Sequence, residues 1–170
     1  MGTLSRTVGD IVDYPANLEK TEWVYTPSQM TVSVTYDEKE RRPLVYLAHP
    51  RRLKEMGMVI ESLLENLGYR VWNPFIENEG ETIPLKIFYK DLEAIKNSDF
   101  VLAILTGSYA EWGVSMEIMY AYTIDKRVIL YLLTPSLASH PFLIGTCTQI
   151  FTSWRELEEF LKGFKEDVYE

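Results

Sequence analysis

Cysteine is nearly absent from this chain. Cys147 stands alone, so neither an intrachain disulfide nor a cysteine-rich zinc site can form. Histidine is almost as scarce, with only His49 and His140, which leaves few ways to activate a thiol. Cys147 therefore reads as a small buried hydrophobe. Residues Met1 to Gly9 lack the apolar stretch of a signal peptide, and no apolar run approaches the roughly 18 residues of a membrane span. A reducing cytoplasm is the expected compartment. Positive charge is short as well: 17 Lys and Arg against 25 Asp and Glu leave a net charge of −8. Nucleic-acid backbones and anionic membrane surfaces would be repelled, so neither is an expected partner. No metal-ligand cluster is present, and no cofactor is expected.

What remains is the composition of a globular protein, 46% hydrophobic and 13% aromatic over 170 residues, enough for one domain with a proper core. Residues 1–43 differ in texture from the rest. Trp23 to Thr26 and Met30 to Tyr36 alternate apolar and polar side chains about Pro27-Ser28-Gln29, which predicts a hairpin. Asp37 to Arg42 (DEKERR) reads as a solvated connector ended by Pro43. The expected organisation is an extension over 1–43 and an α/β domain over 44–170.

From Leu44 the pattern alternates. Buried-strand runs are expected at Leu44–Ala48, Tyr69–Trp72, Asp99–Leu105, Arg127–Leu133 and Gln149–Phe151. Helices are expected over Arg52–Leu67, Pro84–Asn97, Trp112–Ile124 and Trp154–Phe164, the last capped by Ser153 with Glu156 completing a capping box. In the first helix Met56, Val59, Ile60, Leu63, Leu64 and Leu67 fall at core spacing, and in the second Leu85, Phe88, Leu92 and Ile95 do. Such alternation predicts a flavodoxin-like, Rossmann-like sheet of five parallel strands with helices on both faces. Ligands bind such sheets beyond the carboxyl ends of the strands, so the junctions after each strand are the places to look.

Those junctions are polar: Ala48-His49-Pro50-Arg51-Arg52 after the first strand, and Thr106 to Gly113 (TGSYAEWG) after the third. Asp91 lies on the helix before the third strand. Glu117 is flanked by Met116, Ile118, Met119 and Tyr120, near the buried side of its helix, where an acid must be paired, protonated or functional. Periodicity equally describes a partly exposed glutamate paired with a neighbouring base. Arg51 and Arg52 stand at a helix start, a ready anion site, although exposed arginines there are commoner. His49 is either a pocket residue or a turn histidine facing solvent. Trp112, Tyr89 and Trp72 are candidates for stacking, with core packing the simpler reading of Trp72. His140-Pro141 reads as a loop.

The order YLAHP, DLEAIKNSDFVLAIL, then EWGVSMEIMYAYTIDKRVILYL resembles the nucleoside 2-deoxyribosyltransferase family from Leu44 to Leu133. The resemblance implies an enzyme that acts on a nucleoside or deoxynucleoside and a free nucleobase. It makes Glu117 the nucleophile on the anomeric carbon and Asp91 either the acid that protonates the leaving base or the residue that holds the chain of groups doing so. Tyr46 would orient the nucleophile, Glu111 would hold a sugar hydroxyl, and Gly113 would let the sugar approach the backbone. His49 stands where the family often has glycine. A homo-oligomer is implied too, and the helix carrying Trp112, Met116, Met119, Tyr120 and Tyr122 has more apolar surface than one sheet face should cover.

Three functions remain open on the sequence: transfer of 2-deoxyribose between bases, hydrolysis of a nucleoside 5′-monophosphate as in the related N-hydrolases, or binding without turnover. Those hydrolases carry serine six residues before the catalytic glutamate, where this chain has Glu111, whose charge disfavours phosphate.

Overall fold

The structure is a computed structural model that describes residues 42–108 and 111–167, so the hairpin expected before Asp37 lies outside the described residues. Five strands form one sheet in the order β2-β1-β3-β4-β5, every neighbouring pair parallel. They are β1 (Leu44–Ala48), β2 (Arg70–Trp72), β3 (Phe100–Leu105), β4 (Arg127–Leu132) and β5 (Gln149–Phe151). The helices are α1 (Lys54–Asn66), α2 (Pro74–Glu77), α3 (Pro84–Asn97), α4 (Trp112–Thr123), α5 (Pro141–Thr146) and α6 (Trp154–Asp167). The chain reverses its direction of travel across the sheet between β1 and β3, which makes the cleft above those two strands the expected ligand site.

Strand parity divides the core in two. Leu44, Tyr46 and Ala48 of β1 face one side with Val101 and Ala103 of β3, under Ala94 and Ile95 of α3 and Val114, Ile118 and Ala121 of α4. Val45 and Leu47 face the other side with Phe100, Leu102 and Ile104, under Ile60 and Leu64 of α1 and Leu157 and Leu161 of α6. Both faces are covered, so the strands read as continuous apolar runs rather than alternating ones.

Two helices bury a narrower stripe than their sequences predict. On α1 the buried line is Gly57, Ile60 and Leu64, while Met56, Val59 and Leu63 are exposed, Val59 by 60%. A sheet touches only the centre of a helical face, and Gly57 sits there because the ring of His49 fills the space a side chain would take. On α3, Ala94 and Ile95 are buried, whereas Phe88 is 50% exposed and lies edge-on to Tyr89. Two short helices lie outside the expected elements, α2 after Asn73 and α5 where His140-Pro141 reads as a loop. Asn73 caps α2 by accepting from the Phe75 N–H at 3.2 Å, and Pro141 opens α5 directly after His140. Among the described residues no helix is long and apolar enough to cross a membrane.

Candidate active site

Tyr46 is the middle residue of β1 and pairs in register with Trp72 of β2, so the two side chains stand next to each other on the α3–α4 face. Asp91 stands one turn before Ala94 and Ile95 of α3, and Glu117 directly precedes Ile118 of α4, so both acids come from the inward sides of their helices. Topology thus brings residues far apart in sequence to one place. The Tyr46 hydroxyl donates to Glu117 Oε1 at 2.9 Å, although 71 residues separate them. Asn78 Nδ2 donates to Asp91 Oδ1 at 2.9 Å, and the Trp72 indole also acts on Asp91 as a donor.

Asn78, Asp91 and Glu117 line a cleft of about 560 Å³, within the range of small-molecule sites, with Tyr46 buried behind Glu117. The electrostatics are those of a pocket that disfavours charge. Burial pushes the Glu117 carboxyl up to about 8, the negative Asp91 adds to the rise, and the Tyr46 hydrogen bond opposes it. Burial also raises Asp91, against the pull of its Asn78, Trp72 and Lys90 neighbours. Tyr46, buried and facing two acids, is held well above the usual phenol range and so remains a hydroxyl donor. The negative charge of Asp91 thus strengthens the hold of Glu117 on its proton, which couples the two carboxyls.

The next residue of odd parity, His49, turns to the opposite face. It is 3% exposed, and its ring lies over Gly57, where a Cβ would come within 2.3 Å of Nε2. Nε2 contacts Asn73 Oδ1 at 3.0 Å, Asn73 Nδ2 donates to Glu61 Oε2 at 2.8 Å, and the ring sits 4.9 Å from that of Phe75. Burial lowers the His49 pKa, with the Asn73 and Pro50 contacts opposing. His49 is therefore a wall of the cleft, and the solvent-facing turn histidine is not what forms.

Glu111 stands at the N-cap of α4, 7% exposed, and its carboxylate is fully engaged. It accepts from Arg52 Nη2 at 2.6 Å, from the Thr106 and Gly107 backbone N–H groups at 2.9 and 3.1 Å, and from the Thr106 hydroxyl. Arg52, a candidate anion binder on the sequence, is spent on this acid and on Thr106. Arg51 and Lys54 line the cleft instead, and Arg51 is exposed. Gly113 borders the same cleft, and a Cβ there would meet nothing within 4 Å. Trp112 is 72% exposed on the outer side of α4 and is not part of the cleft lining. Trp72 packs in the core, as its simpler reading had it. Asn78, Asn73, Glu61 and Gly57 were invisible to sequence reasoning, because their roles depend on which strand pairs with which.

The fold and the cleft define a doubly wound α/β protein with a carboxylate pair at its switch point. The model of the family described as nucleoside 2-deoxyribosyltransferase matches residues 45–148. This chain belongs to the nucleoside 2-deoxyribosyltransferase family. Among solved structures it is similar to the 2-deoxyribosyltransferase of the psychrotolerant bacterium Bacillus psychrosaccharolyticus, with 25% identity and a TM-score of 0.61 over 68% of this chain and 90% of that one. It shares its fold with a CMP N-glycosidase of Clostridium botulinum, at 22% identity and a TM-score of 0.52 over 75% of this chain and 99% of the other. The same holds for a 2-deoxyribosyltransferase of Leishmania mexicana, at 14% identity and 0.57 over 71% and 98%. A comparison with curated proteins gives no sequence match.

Proposed function

We propose that this protein cleaves the N-glycosidic bond of a 2-deoxynucleoside and passes the sugar to a second nucleobase. The observation that carries the reading is the Tyr46–Glu117 contact of 2.9 Å on the floor of the cleft, with Asp91 alongside. In the first step a Glu117 carboxylate oxygen bonds to the anomeric carbon as the bond to the base nitrogen breaks. The bonding electrons leave with the base, which takes its proton from Asp91. In the second step a nitrogen of the incoming base attacks the anomeric carbon, frees the Glu117 carboxylate and returns its proton to Asp91. Water in place of that base gives hydrolysis. The developing positive charge on the sugar favours the ionised form of Glu117, which burial otherwise resists.

The cleft supports an uncharged nucleoside over a nucleotide. Asp91, Glu117, Glu79 and Glu81 line it against Arg51 and Lys54, and Lys54 lies 3.8 Å from Glu79. Glu111 serves in this reading as a clasp between the β1–α1 and β3–α4 junctions, its charge balanced by Arg52. The active unit is a homo-oligomer, since Trp112, Met116 and Met119 form an outward apolar stripe on α4 beside Phe142 of α5.

The test is chromatography of a 2-deoxynucleoside incubated with a second free base, together with mass spectrometry of quenched enzyme. A deoxyribosyl adduct on the Glu117 peptide and ping-pong kinetics are expected. Turnover surviving in Glu117→Ala would place the nucleophile elsewhere.

A further inference from the structure

Asn78 has one amide group at work and one idle. Its Nδ2 is committed to Asp91 Oδ1 at 2.9 Å, while its Oδ1 is buried and meets no donor among the described residues. The residue is 9% exposed, yet it borders the cleft next to the acid that faces the departing base. A buried carbonyl without a donor loses its hydration and gains nothing in return, so its retention beside a binding cleft points to a donor supplied by a ligand.

Resting on the proposed glycosidic cleavage, we infer that Asn78 selects bases carrying an exocyclic amine next to the ring nitrogen that Asp91 protonates. The nitrogen pattern decides this. In adenine N7 adjoins the 6-amine, and in cytosine N3 adjoins the 4-amine. Asp91 in its acid form donates to the ring nitrogen while the amine donates to Asn78 Oδ1. After proton transfer the ring N–H donates back to the Asp91 carboxylate, and the amine contact persists. Donor meets acceptor before and after the step. A 6-keto purine or 4-keto pyrimidine sets its carbonyl oxygen against Asn78 Oδ1, acceptor against acceptor. Rotating the Asn78 amide would relieve that clash only by withdrawing Nδ2 from Asp91, which keeps the acid in place. Sites that hydrogen-bond one substrate group reject the analogue lacking it, because their own buried group then stays unpaired.

The experiment compares kcat/KM of the full-length protein for 2′-deoxyadenosine and 2′-deoxyinosine, which differ at position 6 and N1 but present the same N7, and for 2′-deoxycytidine and 2′-deoxyuridine. The amine-bearing member of each pair is expected to lead by tenfold or more, and the purine ratio, in which N7 is the same acceptor in both bases, is expected to fall toward one in Asn78→Ala. Calorimetric binding of free adenine and hypoxanthine to Glu117→Ala gives a readout without turnover, in which adenine should bind at least tenfold tighter. Equal kcat/KM values within both pairs, or a purine ratio that Asn78→Ala leaves intact, would overturn the assignment while leaving glycosidic cleavage standing. Absence of turnover with all four nucleosides would overturn the cleavage reading instead, and equal binding of adenine and hypoxanthine would then overturn the Asn78 assignment separately.

Discussion

The charge of Asp91 raises the proton affinity of Glu117, and that coupling makes pH the sharpest probe of single residues. The proposed reaction needs one carboxylate and one carboxylic acid, so its active form is the pair with a single proton. kcat/KM should therefore trace a bell. Its alkaline limb should lie near 8, where the last proton leaves, and its acid limb above the ordinary Asp value of 3.8, where the pair takes a second. Tyr46→Phe removes the contact that lowers the Glu117 value, so the alkaline limb should move upward; a limb that stays put would mean that Tyr46 does not tune the nucleophile. Stability carries the same signature with a defined sign. Because the folded value of Glu117 is raised from 4.5 to about 8, the folded state holds this proton more tightly than the unfolded chain does. That stabilisation is complete below pH 4.5 and is lost as pH rises through 8, by roughly 5 kcal/mol at most at ~1.36 kcal/mol per unit. Thermal melts of Glu117→Gln should accordingly gain on the unmodified protein between pH 5 and 9, and parallel melting curves across that window would contradict the raised value. Gly57 offers a packing test of another kind. Gly57→Ala would normally favour a helix by about 1 kcal/mol, but here the new methyl meets the His49 ring and should destabilise by about 1–3 kcal/mol. The double variant with His49→Ala should recover most of that loss in denaturant titrations.

At the scale of elements, α4 has two distinct faces. Val114, Ile118 and Ala121 hold it to the sheet, and Glu117 occupies the edge of that inner stripe. Outside, Trp112, Met116 and Met119 recur at helical spacing with exposures of 72%, 69% and 39%. Phe142 and Ile144 of α5 extend the apolar surface, and an apolar hollow of about 300 Å³ lies between Met119, Tyr122 and Phe142. Surfaces of this kind rarely stay wet in a stable protein. Light scattering at micromolar concentration should report an oligomer, and Met116→Lys should shift it toward the monomer. A monomeric native protein would refute this role for α4.

Across the whole molecule, acidity shapes what can enter. The net charge of −8 and the acid-rich cleft should disfavour an added phosphate. A 2-deoxynucleoside should exceed its 5′-monophosphate in kcat/KM by at least tenfold at low salt, with the gap narrowing as ionic strength rises. A preference for the monophosphate would instead assign Arg51 and Lys54 to phosphate binding and move the protein toward the hydrolases.

Much of this architecture was legible from residue order. Continuous apolar runs such as FVLAIL and RVILYL identify doubly covered strands, and their alternation with helices specifies a parallel sheet, because a crossover must return the chain to the same end. Glu117 stood out as an acid among apolar neighbours, which needs a purpose, whereas Asp91 and Glu111 were marked as site residues only by the family resemblance. What local pattern could not determine was partnership. Whether Glu117 pairs with a base or meets a tyrosine depends on the order in which strands pack, since only placing β1 between β2 and β3 brings Tyr46 under α4. The engagement of Glu111 by Arg52, the seat of His49 on Gly57 and the idle carbonyl of Asn78 likewise arise from contacts spanning 59, 8 and 13 residues. Periodicity reports which way a side chain faces, and only the assembled sheet decides what it finds there.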